Sequence, residues 1–287
     1  MKRFFLISAL LLTIALQVQA LDYGVCAESV VAVRKTTSSS SELVTQLVFG
    51  DAYKILKTSP DKKWAYIENS YDHYNGWIQM GLVFKVSENY YNDYKKNTHP
   101  VVADKLGTVQ FKGKKIPVTL GSTLPFYQEG KIKIGEEEAQ YQGNTKDISK
   151  KHSKAQVIES AKKLLKIPYL WGGKGKQGYD CSGFCQMVFK TNGYTLPRDS
   201  YQQAEKGKTV SLAESQPGDL VFFQRKPQNV ENGRVVHVGI VLENKNKQVK
   251  VIHSAGMVRI NKVDKTGLYR DDLGKYSHYL KFIKRLD

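Results

Sequence analysis

Cysteine is scarce in this chain, which has three in 287 residues, at positions 26, 181 and 185. Three thiols cannot all pair, and Cys181 and Cys185 stand one helical turn apart, which is a poor geometry for a disulfide. A fold that depends on a disulfide framework, as in many small exported proteins, is therefore excluded. Cys185 and Cys26 are most simply explained as buried apolar residues, with Cys26 in a strand.

Long apolar runs are also scarce, and the one present lies at the N-terminus. Lys2 and Arg3 precede a mostly apolar run that reaches Leu16, and the segment ends in the small-residue sequence VQA. This order is typical of a secretory signal peptide, residues 1–20. The run is shorter than the roughly 20 residues that a membrane-spanning helix needs. We therefore expect cleavage after Ala20 and an exported, soluble protein without a transmembrane anchor, either periplasmic or secreted to the cell surface.

Acidic residues are outnumbered: 27 Asp and Glu stand against 44 Lys and Arg, which gives a net charge of +17. Loss of the two positive charges of Lys2 and Arg3 with the signal peptide leaves +15. Such a surface attracts anionic polymers over a distance that salt shortens. The basic residues are scattered and form no nucleic-acid-binding motif, so we expect no nucleic acid partner. An exported protein instead meets the carboxylates of cell-wall peptides and anionic cell-wall polymers.

The stretch from Tyr169 to Asn192 carries the first candidate for chemistry. A glycine-rich approach ends at Asp180, and the following CSGFCQMVFK has the apolar spacing of a helix. Cys181 then lies in the first turn, where free backbone N–H groups and the positive end of the helix dipole favour the thiolate. The sequence therefore predicts a nucleophilic Cys181, and a small buried apolar cysteine is the alternative.

Two segments downstream are predicted to pair as a hairpin. GRVVHVGIVLEN and QVKVIHSAG alternate as strands, and the polar ENKNKQ between them is a turn-forming loop. A hairpin centred on this loop pairs residues whose numbers sum to about 490, which places His237 directly opposite His253. Opposed side chains on one face touch, so one imidazole can take the Cys181 proton while the other fixes its tautomer. A pair of structural histidines is the alternative.

Six short motifs occur in an order that resembles the NlpC/p60 cysteine peptidases: PYLWGG, DCSGF, LPRDS, PGDLVFF, HVGIVL and VIHSAG. Members of this family cut peptide bonds in the stem peptides of bacterial cell walls. The resemblance implies an α+β fold with a papain-like catalytic domain in residues 148–287, in which helices pack on an antiparallel sheet. It also implies Cys181 as nucleophile, His237 as general base and His253 as the third, polar member. A degenerate, inactive copy is the alternative.

Residues 21–92 are predicted to be all-β. The short strands VVAVRK, LVTQLVFG, AYKILKTS, WAYIENS and GWIQM are separated by turn-rich segments, which is typical of a small barrel. The order of Arg34, Phe49-Gly50 and Gly76-Trp77 resembles a bacterial SH3-type domain. The resemblance implies either wall binding or, as in the dipeptidyl-peptidase branch of the family, closure of one end of the active-site groove.

Residues 93–147 are predicted to form a second, less typical SH3-type barrel. The segments TVQFKG, KIPVTLGS, LPFYQEG and KIKIGEEEAQY alternate over strand lengths between glycines. The segment carries no recognisable chemical motif, so an architectural role is expected. A linker around residues 142–152 leads into the catalytic domain.

The resemblance also implies a site for the free amino end of a substrate. Glu42 and Tyr74 match an acidic residue and a tyrosine with this role, and both side chains can accept hydrogen bonds from an ammonium group. A solvated turn residue is the alternative for Glu42. Asp180 could meet the same ammonium group or cap the helix that follows it. Trp171 could contact substrate or pack in the core.

Further subsite residues follow from the same resemblance. Tyr169 forms a wall of the active site and its hydroxyl helps to hold the oxyanion, together with the backbone N–H of Cys181. Ser182 and Ser200 bind the free carboxylate of a γ-linked D-glutamate. Arg198 is the cationic alternative for that carboxylate.

Together these inferences predict an exported cysteine peptidase that cuts the γ-D-glutamyl-L-diamino acid bond of peptidoglycan stem peptides through a thioester intermediate. The diamino acid is lysine or diaminopimelate, and the substrate retains a free N-terminal L-alanine. No cofactor is needed. A zinc site is disfavoured because Cys181 and Cys185 have no second ligand pair at a suitable spacing. A broader wall hydrolase with SH3-type anchors and a non-catalytic wall-binding protein are the alternatives.

Overall fold

The structure of the chain is a computed structural model that describes residues 22–225, 233–245 and 248–287. The predicted signal peptide, residues 1–20, lies outside the described residues. Across the described ranges, no helix is long and apolar enough to cross a membrane.

The first β domain contains the strands that the sequence predicts for it. Its elements are β1 Asp22–Val25, β2 Val30–Arg34, β3 Leu43–Val48, β4 Ala52–Thr58, β5 Trp64–Asn69, β6 Asn75–Gln79, a 3₁₀ turn Met80–Leu82 and β7 Lys85–Val86. They form one antiparallel sheet in the order β3-β2-β6-β5-β4-β1-β7. Alternation in VVAVR turns Val31 and Val33 inward, where they pack with Leu47 and Ile67 in a small core.

Helix α1, Glu88–Lys96, was not predicted. Its sequence ENYYNDYKK has no apolar stripe that would indicate a helix, and only Tyr90 and Tyr91 are buried. The helix begins where the Ser87 side chain accepts a hydrogen bond from the backbone N–H of Tyr90, at 3.1 Å. The predicted domain boundary between residues 92 and 93 falls inside this helix.

The second β segment follows α1. Its strands are β8 Val101–Val102, β9 Leu106–Phe111, β10 Lys114–Thr119, β11 Lys131–Ile134, β12 Glu137–Tyr141 and β13 Thr145–Lys146. Four of them form a sheet in the order β10-β9-β12-β11, and β8 pairs with β13. The prediction of a strand in LPFYQEG is wrong. Phe126 and Glu129 have positive φ angles of 52° and 47°, which no strand residue adopts, so this segment turns instead.

The second β segment shares its core with the first β domain. Val25 and Phe49 from the first β domain pack in one cluster with Val109 and Tyr141 from the second segment. The second β segment therefore packs directly against the first β domain through a common apolar core.

The catalytic domain begins with a capped helix and ends in a large antiparallel sheet. Its elements are α2 Lys154–Lys163, β14 Lys174–Gly175, β15 Gly178–Tyr179, α3 Cys181–Lys190, α4 Ser200–Gln203, β16 Lys208–Val210, β17 Leu220–Gln224, β18 Val235–Lys245, β19 Gln248–Ala255, β20 Met257–Val263, β21 Gly267–Arg270 and β22 Lys275–Arg285. The sheet order is β16-β22-β17-β18-β19-β20-β21. Because β21 also pairs with β22, the strands β17 to β22 close into a six-stranded barrel.

Helices pack on one face of this barrel. Phe184 and Val188 of α3 contact the cluster that contains Val238 and Ile240 of β18, and residues of α2 join the same cluster. The opposite face carries a second apolar cluster that includes Phe223. All ten residues of α3 are buried, so the helix is held between the barrel and the two β units that precede it.

Candidate active site

The nucleophile lies where the sequence predicts it, at the first residue of α3. Asp180 is the N-cap of this helix, and its Oδ1 accepts a hydrogen bond from the backbone N–H of Gly183 at 2.7 Å. The capping alternative for Asp180 is therefore correct. Cys181 is buried but keeps 8% of its surface exposed, on the wall of a cavity of about 710 Å³.

The glycine-rich approach to Cys181 allows close contact with the first β domain. Gly172 has a φ of +74°, and a Cβ there would stand 2.3 Å from the backbone oxygen of Leu43. Only glycine fits this position, since both its backbone angle and the space forbid a side chain. The tight approach fixes the loop that delivers Cys181.

The two candidate histidines are in contact, but not in the predicted register. Gly239 is the residue opposite His253, because the strands pair up to Lys245 opposite Gln248, later than the predicted centre of the hairpin. The bulge between Val241 and Glu243 takes back one residue, and the net shift from the predicted pairing is two. A shift of two keeps both rings on one face, since side chains alternate with a period of two. The His237 Nε2 and His253 Nδ1 atoms are 2.8 Å apart and hydrogen-bonded.

Cys181 and His237 face the same cavity. Tyr169, Asp180, Ser182 and Ser200 also line it, as the resemblance implies. The first β domain contributes the opposite rim, and its lining side chains are Lys35, Glu42, Val44 and Tyr74. The cavity thus brings the predicted nucleophile, base and subsite residues together, whereas His253 lies behind His237 and is fully buried.

Burial sets the protonation of the catalytic groups. Desolvation and the nearby Asp180 carboxylate raise the pKa of the Cys181 thiol to about 12, although the backbone N–H of Val238 partly opposes this. This shift runs against the expectation of a resting thiolate, because burial disfavours the charged form of the sulfur. Desolvation, His253 and His278 hold the pKa of His237 well below its usual 6.5. Both shifts favour a neutral thiol and a neutral imidazole as the resting pair in the cavity.

Arg198 is committed to Asp180 and does not face the cavity. Its Nη2 donates to the Asp180 carboxylate at 2.6 Å, and its Nη1 donates to Ser182 Oγ at 3.0 Å. Its Nε donates to Thr45 Oγ1 of the first β domain at 2.8 Å. With 1% of its surface exposed, Arg198 orients the residues around Cys181 and is no ligand for a substrate carboxylate.

The predicted amine-binding pair lies at the junction between domains. The indole N–H of Trp171 donates to the Glu42 carboxylate at 3.1 Å, and the Tyr74 hydroxyl donates to the Asp199 carboxylate at 3.4 Å. Trp171 is 61% exposed, which excludes the core-packing alternative. The Glu42 carboxylate is not simply solvated, since Lys35 also donates to it at 3.2 Å.

A buried charge cluster joins the first β domain to the far end of α3. Lys190 donates to Asp51 at 3.0 Å, and Lys174 lies 3.6 Å from Asp51 and 3.7 Å from Asp72. Lys174 and Lys190 are 1% and 4% exposed. The sequence does not indicate this cluster, because nothing near Lys174 or Lys190 in the sequence distinguishes them from exposed lysines.

Two polar neighbours of the histidines were also missed. His253 Nε2 is hydrogen-bonded to Asn261 Oδ1 of β20 at 3.0 Å. His278 of β22 stacks on His237, with ring centroids 4.5 Å apart and planes 18° apart. An alternation pattern in β20 and β22 could have placed these side chains on a face, but the closure of the barrel brings them to the histidines. No group of three or more possible metal ligands occurs in the part of the chain that the structure describes.

The cysteine at the helix N-terminus shares the cavity with one imidazole, and a second, buried imidazole holds the first from behind. This is the arrangement of a cysteine peptidase, and the chain is one. Residues 166–275 match the model of the NlpC/P60 family. Residues 33–81 match the model of the bacterial dipeptidyl-peptidase Sh3 domain. The chain therefore carries an NlpC/P60 domain preceded by a dipeptidyl-peptidase Sh3 domain.

Curated relatives match over different lengths. The chain is 29% identical over 212 residues to a gamma-D-glutamyl-L-lysine dipeptidyl-peptidase of Bacillus subtilis, over 68% of each protein. It is 38% identical over 98 residues to a Bacillus cereus protein of the same name, over 34% of this chain but 27% of the relative. It is 38% identical over 106 residues to an Escherichia coli murein DD-endopeptidase/LD-carboxypeptidase, over 37% of this chain and 53% of the relative.

Solved structures share the fold over nearly the whole chain. A crystal structure of an NlpC/P60 family protein from Bacillus cereus has a TM-score of 0.76 at 18% identity and covers 92% of this chain and 99% of its own. An NlpC/P60 endopeptidase from Photobacterium damselae has a TM-score of 0.67 at 19% identity, covering 91% and 70%. Both likenesses establish the fold.

Proposed function

We propose that the chain is an exported peptidase that hydrolyses the γ-D-glutamyl-L-diamino acid bond of peptidoglycan stem peptides with a free N-terminal L-alanine. One observation carries the proposal: the first β domain supplies a rim of the cavity that contains Cys181, with Glu42 and Tyr74 among its lining residues. A cleft closed by a carboxylate suits a short substrate segment that ends in an ammonium group. The relative from Bacillus subtilis, whose match covers 68% of this chain, is named for a bond of this kind.

The chemistry begins from the neutral pair. His237 takes the Cys181 proton as the sulfur attacks the γ-carbonyl carbon of D-glutamate, and the electron pair of the carbonyl moves to its oxygen. The backbone N–H of Cys181 and the hydroxyl of Tyr169 stabilise this oxyanion. Burial, Cys181 and Asp180 raise the pKa of Tyr169, so its hydroxyl keeps its proton and can donate.

Collapse of the tetrahedral intermediate breaks the C–N bond, and His237 returns the proton to the leaving amine. A thioester between Cys181 and the glutamyl carbon remains. Water then attacks this carbon while His237 removes a water proton, and the second collapse releases the dipeptide as a carboxylic acid and restores the thiol. The same histidine thus serves both halves of the reaction.

Substrate recognition is divided between the two rims. Glu42 binds the terminal ammonium group together with the Tyr74 hydroxyl oxygen, while Trp171 and Lys35 hold the Glu42 carboxylate in place. Ser200 hydrogen-bonds to the free α-carboxylate of D-glutamate, and Ser182 does so once its hydroxyl turns away from Asp180 Oδ1, to which it donates at 3.3 Å. Asp180 has little to offer the ammonium group, because its carboxylate is already neutralised by Arg198.

Mass spectrometry of the products from a defined peptide series tests the proposal. We expect release of L-Ala-γ-D-Glu from L-Ala-γ-D-Glu-L-Lys-D-Ala or from its diaminopimelate counterpart. We expect release at least about 10-fold slower after N-acetylation of the alanine, because a charge-assisted hydrogen bond is lost. The Cys181→Ala variant should release nothing. Failure to release this dipeptide from either peptide would refute the assigned bond.

A broader wall hydrolase is the second candidate, favoured by the name of the Escherichia coli relative and by the net charge of +17. The first β domain would then be a wall anchor. Sedimentation of the full-length Cys181→Ala chain with purified peptidoglycan separates the two functions. Tight wall binding, together with equal cutting of intact wall and free peptide, would favour the anchor.

Export is part of the proposal and rests on the pattern of residues 1–20. The test is N-terminal sequencing of the protein recovered from an expressing bacterium. A mature chain that begins at Leu21 outside the cytoplasm is the expected result, and an uncleaved cytoplasmic chain would contradict it.

A further inference from the structure

The hydrogen bonds of the catalytic base continue beyond His253 to a buried asparagine. His237 Nε2 and His253 Nδ1 are 2.8 Å apart, and His253 Nε2 and Asn261 Oδ1 are 3.0 Å apart. The three residues are 4%, 0% and 5% exposed. Water is therefore largely excluded from the chain of contacts, and each ring nitrogen in it has one partner.

The order of donors and acceptors in this chain determines the tautomer of His237. A carboxamide oxygen only accepts, so the His253 proton lies on Nε2. His253 Nδ1 is then an acceptor, which requires the His237 proton to lie on Nε2. The Nδ1 atom of His237 is left with a free lone pair, which is the form that a general base needs.

We propose that Asn261 is a positioning residue that sets the tautomer of His237 through His253. The inference rests on the proposed function only in requiring His237 to act as a base. Asn261 lies on β20, diagonal to His253 across the pairing of β19 with β20, so it reaches the ring from behind and touches no substrate.

Burial, helped by neighbouring groups, keeps His253 neutral. Arg259 stands directly opposite His253 on β20, and Arg270 and His278 act on it from β21 and β22. Desolvation is the main cause that lowers the pKa of His253 to about 4, and His278, Arg259 and Arg270 act in the same direction, although the bond to Asn261 opposes the shift. At neutral pH, His253 therefore has one proton, and Asn261 selects the nitrogen that carries it.

Ring nitrogen chemical shifts test the tautomer directly and need no substrate. The ¹⁵N-labelled full-length protein contains six histidines, and a long-range ¹H–¹⁵N spectrum distinguishes protonated from bare ring nitrogens. His237→Gln and His253→Gln variants assign the two rings. We expect both His237 and His253 to carry the proton on Nε2 at pH 7. A proton on Nδ1 of His237 in the unmodified protein would overturn the proposal, whether or not the enzyme cuts the proposed bond.

Substitution of Asn261 supplies the second test. Asn261→Leu removes the acceptor, so we expect mixed tautomers and a fall in kcat on the order of 100-fold with KM nearly unchanged. This is less than the roughly 10⁴-fold cost of a forced wrong tautomer in a serine protease triad. Asn261→Asp keeps an acceptor. We therefore expect His237 and His253 both to stay protonated on Nε2 in this variant, with kcat within a few-fold of the unmodified enzyme at neutral pH.

A neighbouring position controls for effects on the strand. Lys262 on β20 is 62% exposed at its side chain and pairs with Asp271 at the surface, so Lys262→Leu should leave kcat and the spectrum unchanged. Equal tautomer populations in Asn261→Leu and the unmodified protein would refute the inference. If Asn261→Leu fails to fold, Asn261→Asp still decides: loss of the Nε2 tautomers in that variant counts against the acceptor role.

Discussion

Trp171 of the catalytic domain donates its indole N–H to the Glu42 carboxylate of the first β domain, at 3.1 Å. The hydrogen bonds from Lys35 and from Trp171 lower the pKa of Glu42, so the carboxylate is ionised at neutral pH. Both residues line the cavity that contains Cys181. A negative charge is thus held at the rim of the cleft by one residue from each domain.

The first prediction concerns this charge. Glu42→Gln should raise KM for a free-amine tripeptide about 10-fold or more, because an amide binds an ammonium group less well than a carboxylate. Trp171→Phe, which keeps a ring but loses the N–H, should raise KM less. Steady-state kinetics of both single variants and the double variant would show non-additive effects, since the two residues act on one carboxylate.

N-acetylated substrate is the control for that prediction. The KM of the acetylated peptide should be insensitive to Glu42→Gln, because it carries no ammonium group. Equal effects of the substitution on both peptides would show that Glu42 supports the domain junction and does not bind the amine.

The second prediction concerns the pH dependence of the resting pair. With the pKa of His237 held below 6.5, the neutral base persists through neutral pH. For the N-acetylated peptide, kcat/KM should be flat from about pH 6.5 upward and fall as the pH drops well below 6.5, where His237 gains its proton. The free-amine peptide should show the same acid limb and also lose kcat/KM above about pH 8, where its ammonium group deprotonates. Initial rates across a series of constant-ionic-strength buffers would measure this profile.

Alkylation of the thiol gives an independent measurement of the same state. Because the pKa of Cys181 is raised to about 12, the reaction of the free enzyme with iodoacetamide should be slow at pH 7 and accelerate through the alkaline range. Fast alkylation that stays constant from pH 5 to pH 8 would instead reveal a thiolate–imidazolium pair and contradict the neutral resting state.

The third prediction separates the two cysteines of α3. Cys181→Ala should abolish hydrolysis and leave the fold intact, since Cys181 faces the cavity. Cys185→Ala should retain the reaction but lower the unfolding free energy by about 1 kcal/mol, because Cys185 is fully buried in the core. Activity assays and urea denaturation of both variants would measure this. Retained hydrolysis in Cys181→Ala would remove the nucleophile from the mechanism.

The fourth prediction concerns the buried charge cluster. Burial raises the pKa of Asp51, but Lys190 and Lys174 more than offset this, so the carboxylate is charged. Asp51→Asn removes that charge and leaves two buried lysines with Asp72 alone, which should cost about 3–5 kcal/mol of unfolding free energy. Chemical denaturation monitored by tryptophan fluorescence would detect the loss.

A surface pair provides the matched control. The side chains of Asp22 and Lys85 are 54% and 60% exposed, and Lys85 Nζ lies 2.7 Å from Asp22 Oδ2. Because exposed ion pairs contribute little to stability, Asp22→Asn should leave the denaturation midpoint unchanged within error. An Asp51→Asn variant as stable as Asp22→Asn would contradict a structural role for the cluster. A loss of activity that accompanies the loss of stability would also link the cluster to the position of α3.

Local signals in the sequence were sufficient for much of the site. The start of α3 at Cys181 follows from the Asp180 cap and the apolar spacing after it, and both are features of neighbouring residues. The contact of His237 with His253 follows from two alternating strands and a turn, because a shift of two residues keeps the rings on one face.

Relationships that depend on the closed barrel or on the domain junction could not be predicted. The bulge in β18 has no marker in GIVLEN, and Asn261 reaches His253 only because β20 pairs with β19. Lys190 looks like a solvated helix residue until the first β domain covers it. Tertiary packing, which no local pattern encodes, decided these positions.

The first β domain contacts both ends of the helix that carries the nucleophile. Near Cys181, Arg198 donates to Thr45 of the domain, and at the last turn Lys190 donates to Asp51. The first β domain therefore cannot be replaced by any domain of the same fold without loss of these contacts. A chimera that imports the corresponding module from a relative would have to bring the matching partners of Arg198 and Lys190 with it. Otherwise the transplanted enzyme would lose the alignment of its own sulfur.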